Sequence, residues 1–240
     1  MTSELKHLAL LVIARGLLAE LEDRTNEAAG WYAMDIRLGN RISRGGFVFH
    51  RLVGIGIEET GIAPLARIAP RLRAAQARSV IAELEKVDAE RVRWSEVVRN
   101  ENSFMFYRIL KGGNPLALVT GWFSALKVRP TVRDKHEGAV ARVRLLLTEL
   151  ALFRCRSENG APPAALAGLV PKYLQRVPLD PFTGRALVYR CRGTNWSLYS
   201  VGPDRADNGG RAFNQRSKRG DISLDHYWQM PLRFVGLKPD

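Results

Sequence analysis

The chain has 240 residues, of which 46% are hydrophobic and 25% are charged, and this composition excludes a largely disordered chain. Its formal net charge is +13 and its pI is about 10.3, a balance that favours acidic partners such as nucleic acid, anionic lipid or an acidic protein face. The positive charges are spread along the whole chain, so nucleic acid is the less favoured of these partners. The two cysteines are too few to build a disulfide framework.

The N-terminal segment predicts a helix that is too short for a membrane span. Residues 4–22 put an apolar stripe on one side of this helix: Leu5, Leu8, Leu11, Val12, Leu18 and Leu21. Arg15, Glu20 and Glu22 interrupt the apolar run before the roughly 20 residues that a bilayer requires. We recognise no signal peptide and expect no transmembrane segment in this chain.

Apolar periodicity predicts further helices over residues 27–38, 47–60, 72–86, 89–110 and 137–158. The periodicity lapses and charges gather between Lys127 and Lys135, which predicts a linker there. We therefore predict a helical domain over residues 1–135.

Two glutamates on these helices are candidates for catalysis. Glu58 ends a strongly apolar helix, and a buried carboxylate there, or Glu96 on a later helix, could be the acid of a helical hydrolase. An ion pair with an arginine such as Arg99 is the simpler interpretation. The sequence contains no phosphate-binding loop, no His-Glu-x-x-His and no Gly-x-Ser-x-Gly, so we predict that the protein is not an enzyme.

Phe104, Phe106 and Tyr107 form an aromatic cluster between arginines. Aromatics in such a setting can stack on bases, but aromatic residues on a helix are more often part of the core. The cluster therefore predicts core residues, and a basic helical module that binds nucleic acid or another polyanion is the alternative function.

The C-terminal third contains a series of ordered motifs. The helix over residues 137–158 stops at Asn159-Gly160, and a short helix is predicted over residues 164–174. After the turn at residues 178–184, two β-prone runs, 186–190 and 196–201, predict a hairpin. A glycine-rich loop with several carboxylates then runs from residue 202 to Asp221-Ile222.

These motifs, in this order, resemble the globular half of the major pseudopilins of type II secretion. The resemblance implies a long spine helix, a short helix and a small antiparallel sheet, and a loop that binds Ca²⁺. Asp204 and Asp221 match the acidic positions of the family, carbonyl groups near Tyr199 and Val201 would add neutral ligands, and Asp207 is an extra local candidate. The alternative is a turn in which Asp204 and Asp221 cap backbone amides without a metal.

The resemblance also implies that the spine helix packs on the hairpin, which could bring Cys155 near Cys191. Two unpaired thiols are the preferred interpretation.

We thus expect an α+β protein with a helical region (1–135), a pseudopilin-like unit (136–225) and a tail (226–240) whose Trp228 and Phe234 fold back on the body. The expected function is that of a non-enzymatic structural or interaction protein. The resemblance places it in the cell envelope with an unidentified protein partner.

Overall fold

Six α-helices account for most of the structure. The computed structural model describes residues 2–112, 114–214 and 216–225 of the chain. Its helices are α1 (Thr2–Leu21), α2 (Thr25–Ser43), α3 (Val48–Ile68), α4 (Ala74–Ala89), α5 (Trp94–Leu110) and α6 (Pro115–Asn159).

A small antiparallel sheet follows the helices, so the chain is α+β. Its strands are β1 (Val188–Arg192) and β2 (Asn195–Tyr199), with Val188 opposite Tyr199 and Arg192 opposite Asn195. Gly193 turns the hairpin with a φ of 61°, a backbone conformation that favours glycine. The predicted hairpin is therefore present.

The helices share one hydrophobic core. Helix α2 packs against α1 and α3, while α6 packs against α3 and α4. One cluster of buried apolar side chains joins both regions that the sequence separates: it includes Ile36 of α2, Leu84 of α4 and Leu150 of α6, together with Tyr173 and Leu198 from the C-terminal part. The division at residue 135 stays a prediction, although the core continues across it.

The predicted linker is wrong, because residues 127–135 are helical. They lie inside α6, which runs for 45 residues with Pro130 in its interior. The same happens in α3, where Pro64 lies within the helix. A proline removes one helix hydrogen bond, but packing of the flanking turns outweighs that local cost. The helix predicted over residues 137–158 is confirmed, since it lies within α6, and its Val143, Leu146 and Leu150 are each fully buried.

The predicted apolar stripe of α1 is mostly wrong. Leu11 is 65% exposed, Leu18 42% and Leu21 57%, whereas Ile13 and Leu17 are buried. Helix α1 is apolar on nearly every side, so periodicity could not select the buried one. The buried side is the one that packs closely on α2, where an added Cβ at Gly16 would lie 2.4 Å from the ring of Tyr32.

The predicted short helix over residues 164–174 is reduced to a 3₁₀ turn at Leu166–Leu169. No described helix combines the length and the apolar character needed to cross a bilayer. The predicted tail at 226–240 lies outside the described residues.

Candidate functional site

The C-terminal loop is closed at a narrow neck. Ser200 and Ile222 exchange two backbone hydrogen bonds of 2.9 and 2.8 Å. Gly202 has a φ of 71°, and an added Cβ there would lie 2.5 Å from the carbonyl oxygen of Gly220. Only glycine tolerates this approach, so the two glycines bring the ends of the loop together.

Asp221 lies at this neck and is buried. Both of its carboxylate oxygens accept the N–H of Asn208, at 3.2 and 3.1 Å, and Oδ2 also accepts the N–H of Gly210 at 2.7 Å. Burial raises the pKa of Asp221, although these amide donors oppose the effect. The side chain therefore ties the middle of the loop to its end.

Asp204 makes a second set of bonds across the loop. Its Oδ2 accepts the side-chain amide of Asn208 at 3.0 Å and the N–H of Gly220 at 3.1 Å, while Oδ1 accepts the N–H of Ala206 at 3.2 Å. Asp204 and Asp221 thus converge on the same residue, Asn208, from opposite ends of the loop.

Asp207 and Tyr199 interact through their side chains. The Tyr199 hydroxyl donates to Asp207 at 2.8 Å, and Arg190 donates to the other carboxylate oxygen at 2.8 Å. The amide of Gly209 and the Tyr199 hydroxyl lower the pKa of Asp207, and burial raises the pKa of Tyr199 to about 12. Asp207 therefore fastens the loop to both strands of the hairpin.

Sequence reasoning missed Asp180 as a site residue. It is 1% exposed, and it accepts the N–H of Val201 at 2.9 Å and the N–H of Phe182 at 2.8 Å. Its signal in the sequence is the Pro178-Leu-Asp-Pro181 turn, one of the ordered motifs of the pseudopilin resemblance, to which no site residue is assigned. Asp180 holds the strand that leads into the loop, and Val201 takes part through its amide.

The predicted Ca²⁺ ligands lie together but face N–H donors. Ca²⁺ needs six to eight oxygen ligands, whereas the oxygens of Asp204, Asp207 and Asp221 accept the hydrogen bonds described above. Among the described residues, no three acidic, histidine or cysteine side chains are grouped to hold a metal. The arrangement is that of a capped turn and does not fit a preformed Ca²⁺ site. Calcium binding stays a prediction.

Glu58 is the centre of a buried ion-pair network. It is fully buried and bonds Arg51 at 2.6 Å and Arg91 at 2.7 Å, so the predicted partner Arg99 is wrong. Arg51 also donates to His136 Nδ1 at 2.8 Å. Burial raises the pKa of Glu58, but the two guanidiniums outweigh it and hold the pKa below its ordinary value. Glu96, the other candidate, is half-buried on α5.

The aromatic cluster on α5 is not core, contrary to the prediction. Phe106 is 63% exposed and Tyr107 is 55% exposed, while Phe104 stacks on Phe47 with ring centroids 4.4 Å apart. The two cysteines are free: Cys155 is buried and Cys191 half-buried.

A further feature that was not predicted from the sequence is an apolar surface on α1. Five leucines there are between 42% and 65% exposed: Leu8, Leu10, Leu11, Leu18 and Leu21. Beside them a groove of about 460 Å³ separates α1 from α3, and its lining is uncharged: Ala9, Leu10, Ile13, Leu52, Val53, Gly56, Ile57 and Thr60. We call the leucines and this lining the α1–α3 apolar surface.

Comparison of the chain with known proteins found no matching family model, no matching curated protein and no matching solved structure. The pseudopilin resemblance therefore rests on the sequence motifs alone.

Proposed function

We propose that this protein is a non-enzymatic interaction protein of the cell envelope, and that the α1–α3 apolar surface docks a protein partner. The observation that carries the proposal is the row of exposed leucines on α1. Large contiguous apolar patches are uncommon on proteins that act alone, and they mark sites of association. The envelope location rests on the pseudopilin resemblance.

The partner we propose is an apolar helix of an envelope protein. Two neighbouring helices form the groove, and a groove of this kind accepts the side-chain ridge of a third helix. Anionic membranes attract surfaces with lysine and arginine around the apolar residues. The lining of this groove carries no such charge, whereas Arg15 is exposed on α1 between Leu11 and Leu18, so binding to a lipid surface is tested alongside binding to a helix.

The C-terminal loop has a structural role in this proposal. The bonds of Asp180, Asp204, Asp207 and Asp221 hold it to the hairpin and to its own backbone. Ca²⁺ remains a candidate ligand of the loop that the docking proposal does not require.

The test uses a groove-filling substitution. Gly56 lines the groove and an added Cβ there meets nothing within 4 Å, so Gly56→Leu places its side chain in the groove with room for its first atom. Removing a glycine from a helix also stabilises the helix by up to about 1 kcal/mol. A labelled amphipathic peptide helix with leucines at i, i+3, i+4 and i+7 is titrated with the full chain by fluorescence anisotropy. We expect the variant to bind at least about tenfold more weakly than the parent.

The matched control is Gly30→Leu, an exposed helical glycine on α2 where the nearest atom to an added Cβ is 4.0 Å away. It gives the same gain in helix propensity and should leave peptide binding unchanged. Flotation with vesicles of anionic lipid is the second arm. Binding to vesicles with no binding to the peptide would contradict a protein partner.

The exposed aromatics favour a second candidate function, binding of a single-stranded polyanion. Phe106 and Tyr107 are exposed on α5, as are Arg99 and Arg108. Bases stack on such side chains, and the affinity falls steeply as salt rises. An oligonucleotide whose affinity drops in Phe106→Ala and with added salt, but not in Phe49→Ala on α3, where the ring is 57% exposed, would support this function.

A further inference from the structure

A second cavity is built by four separate segments of the chain. It has a volume of about 320 Å³ and is lined by Trp94 at the start of α5, the 129–137 stretch of α6, Pro181-Phe182 and Pro203-Arg205. Pockets of about 300 Å³ and above accept small molecules. We call it the Trp94 cavity.

Its lining combines apolar surfaces with an excess of positive charge. Trp94, Phe182 and three prolines supply the apolar walls, and the guanidiniums of Arg129, Arg133 and Arg205 face two carboxylates, Asp134 and Glu137. The Arg133–Glu137 pair is loose, at 3.8 Å, and Arg133 is 55% exposed. Asn102 holds Arg129 at 2.6 Å.

The buried network next to the cavity also carries more positive than negative charge. Two guanidiniums, Arg51 and Arg91, surround the single carboxylate of Glu58. His136 lies 5.8 Å from the Trp94 ring, and its pKa is lowered to about 3 by burial and then by Arg51, Arg91 and Arg133. Burial is the larger cause, and the three guanidiniums add to it.

Arg205 lines the cavity and has a left-handed backbone. Its φ is 57°, in the region that glycine and asparagine adopt more readily, and Asp23 and Lys218, which are outside the lining, have φ values of 57° and 54°. A side chain kept at such a position costs stability, so replacing Arg205 with glycine removes the charge and relaxes the backbone together.

We propose that the Trp94 cavity binds a small apolar or aromatic molecule that carries one carboxylate or phosphate group. Trp94, Phe182 and the prolines contact the apolar part, and Arg133 and Arg205 bind the anionic group. Guanidinium forks match the geometry of both oxyanions. This site is separate from the α1–α3 apolar surface, so the two proposals stand or fall independently.

The test compares ligands that share a shape. Calorimetric titration of the full chain uses benzoate, phenyl phosphate and neutral benzamide at low salt. We expect one or both anions to bind at least about tenfold more tightly than benzamide, because a charged hydrogen bond is worth that factor or more. The tighter of the two anions identifies the anionic group. Equal affinities for benzamide and the anions, or no binding at about 10 mM ligand, would overturn the proposal.

Two substitutions of Arg205 separate binding from folding. Arg205→Gln should weaken anion binding about tenfold, whereas Arg216→Gln, in the same loop but outside the lining, should not. Arg205→Gly should lose the same affinity while its melting temperature stays level or rises, because glycine relaxes the left-handed backbone. Anion affinity that survives both Arg205 changes would contradict the assignment.

Discussion

Buried carboxylates in this protein differ in charge state because their neighbours differ. Glu58 is held ionised by Arg51 and Arg91. Glu149 is 2% exposed and accepts only the Trp196 indole N–H among the bonds described for it, at 2.9 Å, and burial raises its pKa to about 8. Glu58 is therefore part of a structural ion-pair network, whereas Glu149 is a carboxyl group that is protonated near neutral pH.

Glu149 should make stability depend on pH. Its ordinary pKa is 4.5, so between pH 4.5 and about 8 the unfolded chain is ionised while the folded chain keeps the proton. Unfolding then releases a proton, and the free energy of unfolding falls as pH rises, by up to about 1.4 kcal/mol per pH unit. Asp225 reinforces this shift and Arg156 opposes it.

Glu149→Gln keeps an acceptor for Trp196 and should remove this one-proton contribution from the slope in urea unfolding measured from pH 7 to 8, above the value of about 7 to which burial raises the pKa of Asp35. Glu22→Gln on the surface should leave the slope as it is in the parent. A parental slope in Glu149→Gln would show that Glu149 is ionised in the folded protein.

Glu58→Gln should destabilise the fold strongly. It leaves Arg51 and Arg91 without their shared carboxylate in the interior, which costs about 3–5 kcal/mol. Denaturant unfolding measures the loss. Glu96→Gln, at a half-buried position on α5, should change stability by less than about 0.5 kcal/mol. Similar small effects at both positions would contradict the ion-pair role.

Helix α1 illustrates why an apolar element needs its neighbours to define its faces. Leucines occur on most of its circumference, and the side that is buried is the one where Gly16 admits the Tyr32 ring. The remaining leucines stay at the surface beside the groove with α3, and they form the proposed docking surface.

Two adjacent leucines test this orientation. Leu17 is 4% exposed and Leu18 is 42% exposed. We expect Leu17→Ala to cost about 2–5 kcal/mol of unfolding free energy and Leu18→Ala well under half of that. The stripe expected from the sequence includes Leu18 and omits Leu17, so it requires the reverse order. The denaturant midpoints of the two variants show whether the side of α1 with Leu17 or the side with Leu18 is buried.

The molecule as a whole combines one continuous core with a loop closed by its own carboxylates. The core cluster includes residues on both sides of position 135, and ion pairs such as Arg144–Asp88 at 3.0 Å link α6 to α4. This connectivity favours a single cooperative unfolding transition.

Calorimetric unfolding in EDTA and in millimolar Ca²⁺ tests both features. We expect one transition, and from the geometry of the capped loop we expect no shift with Ca²⁺. A rise in midpoint that is lost in both Asp204→Ala and Asp221→Ala would establish the Ca²⁺ loop of the pseudopilin resemblance. Two separate transitions would instead support the division at residue 135.

Local signals in the chain sufficed for much of the architecture. The helix over residues 137–158, the stop at Asn159-Gly160 and the hairpin follow from periodicity and turn residues, whereas the pairing of Asp204 with Asp221 was implied by the pseudopilin resemblance. These properties depend on residues near one another in sequence, where intrinsic preferences and spacing act directly.

Long-range packing decided the rest. It selected the buried side of α1, paired Glu58 with Arg51 and Arg91 instead of Arg99, carried α6 through Pro130 and left Phe106 and Tyr107 exposed. It also assembled the Trp94 cavity from four separate segments. Such features depend on which distant surfaces meet, and no local pattern encodes that choice when several faces or several arginines are equally suitable.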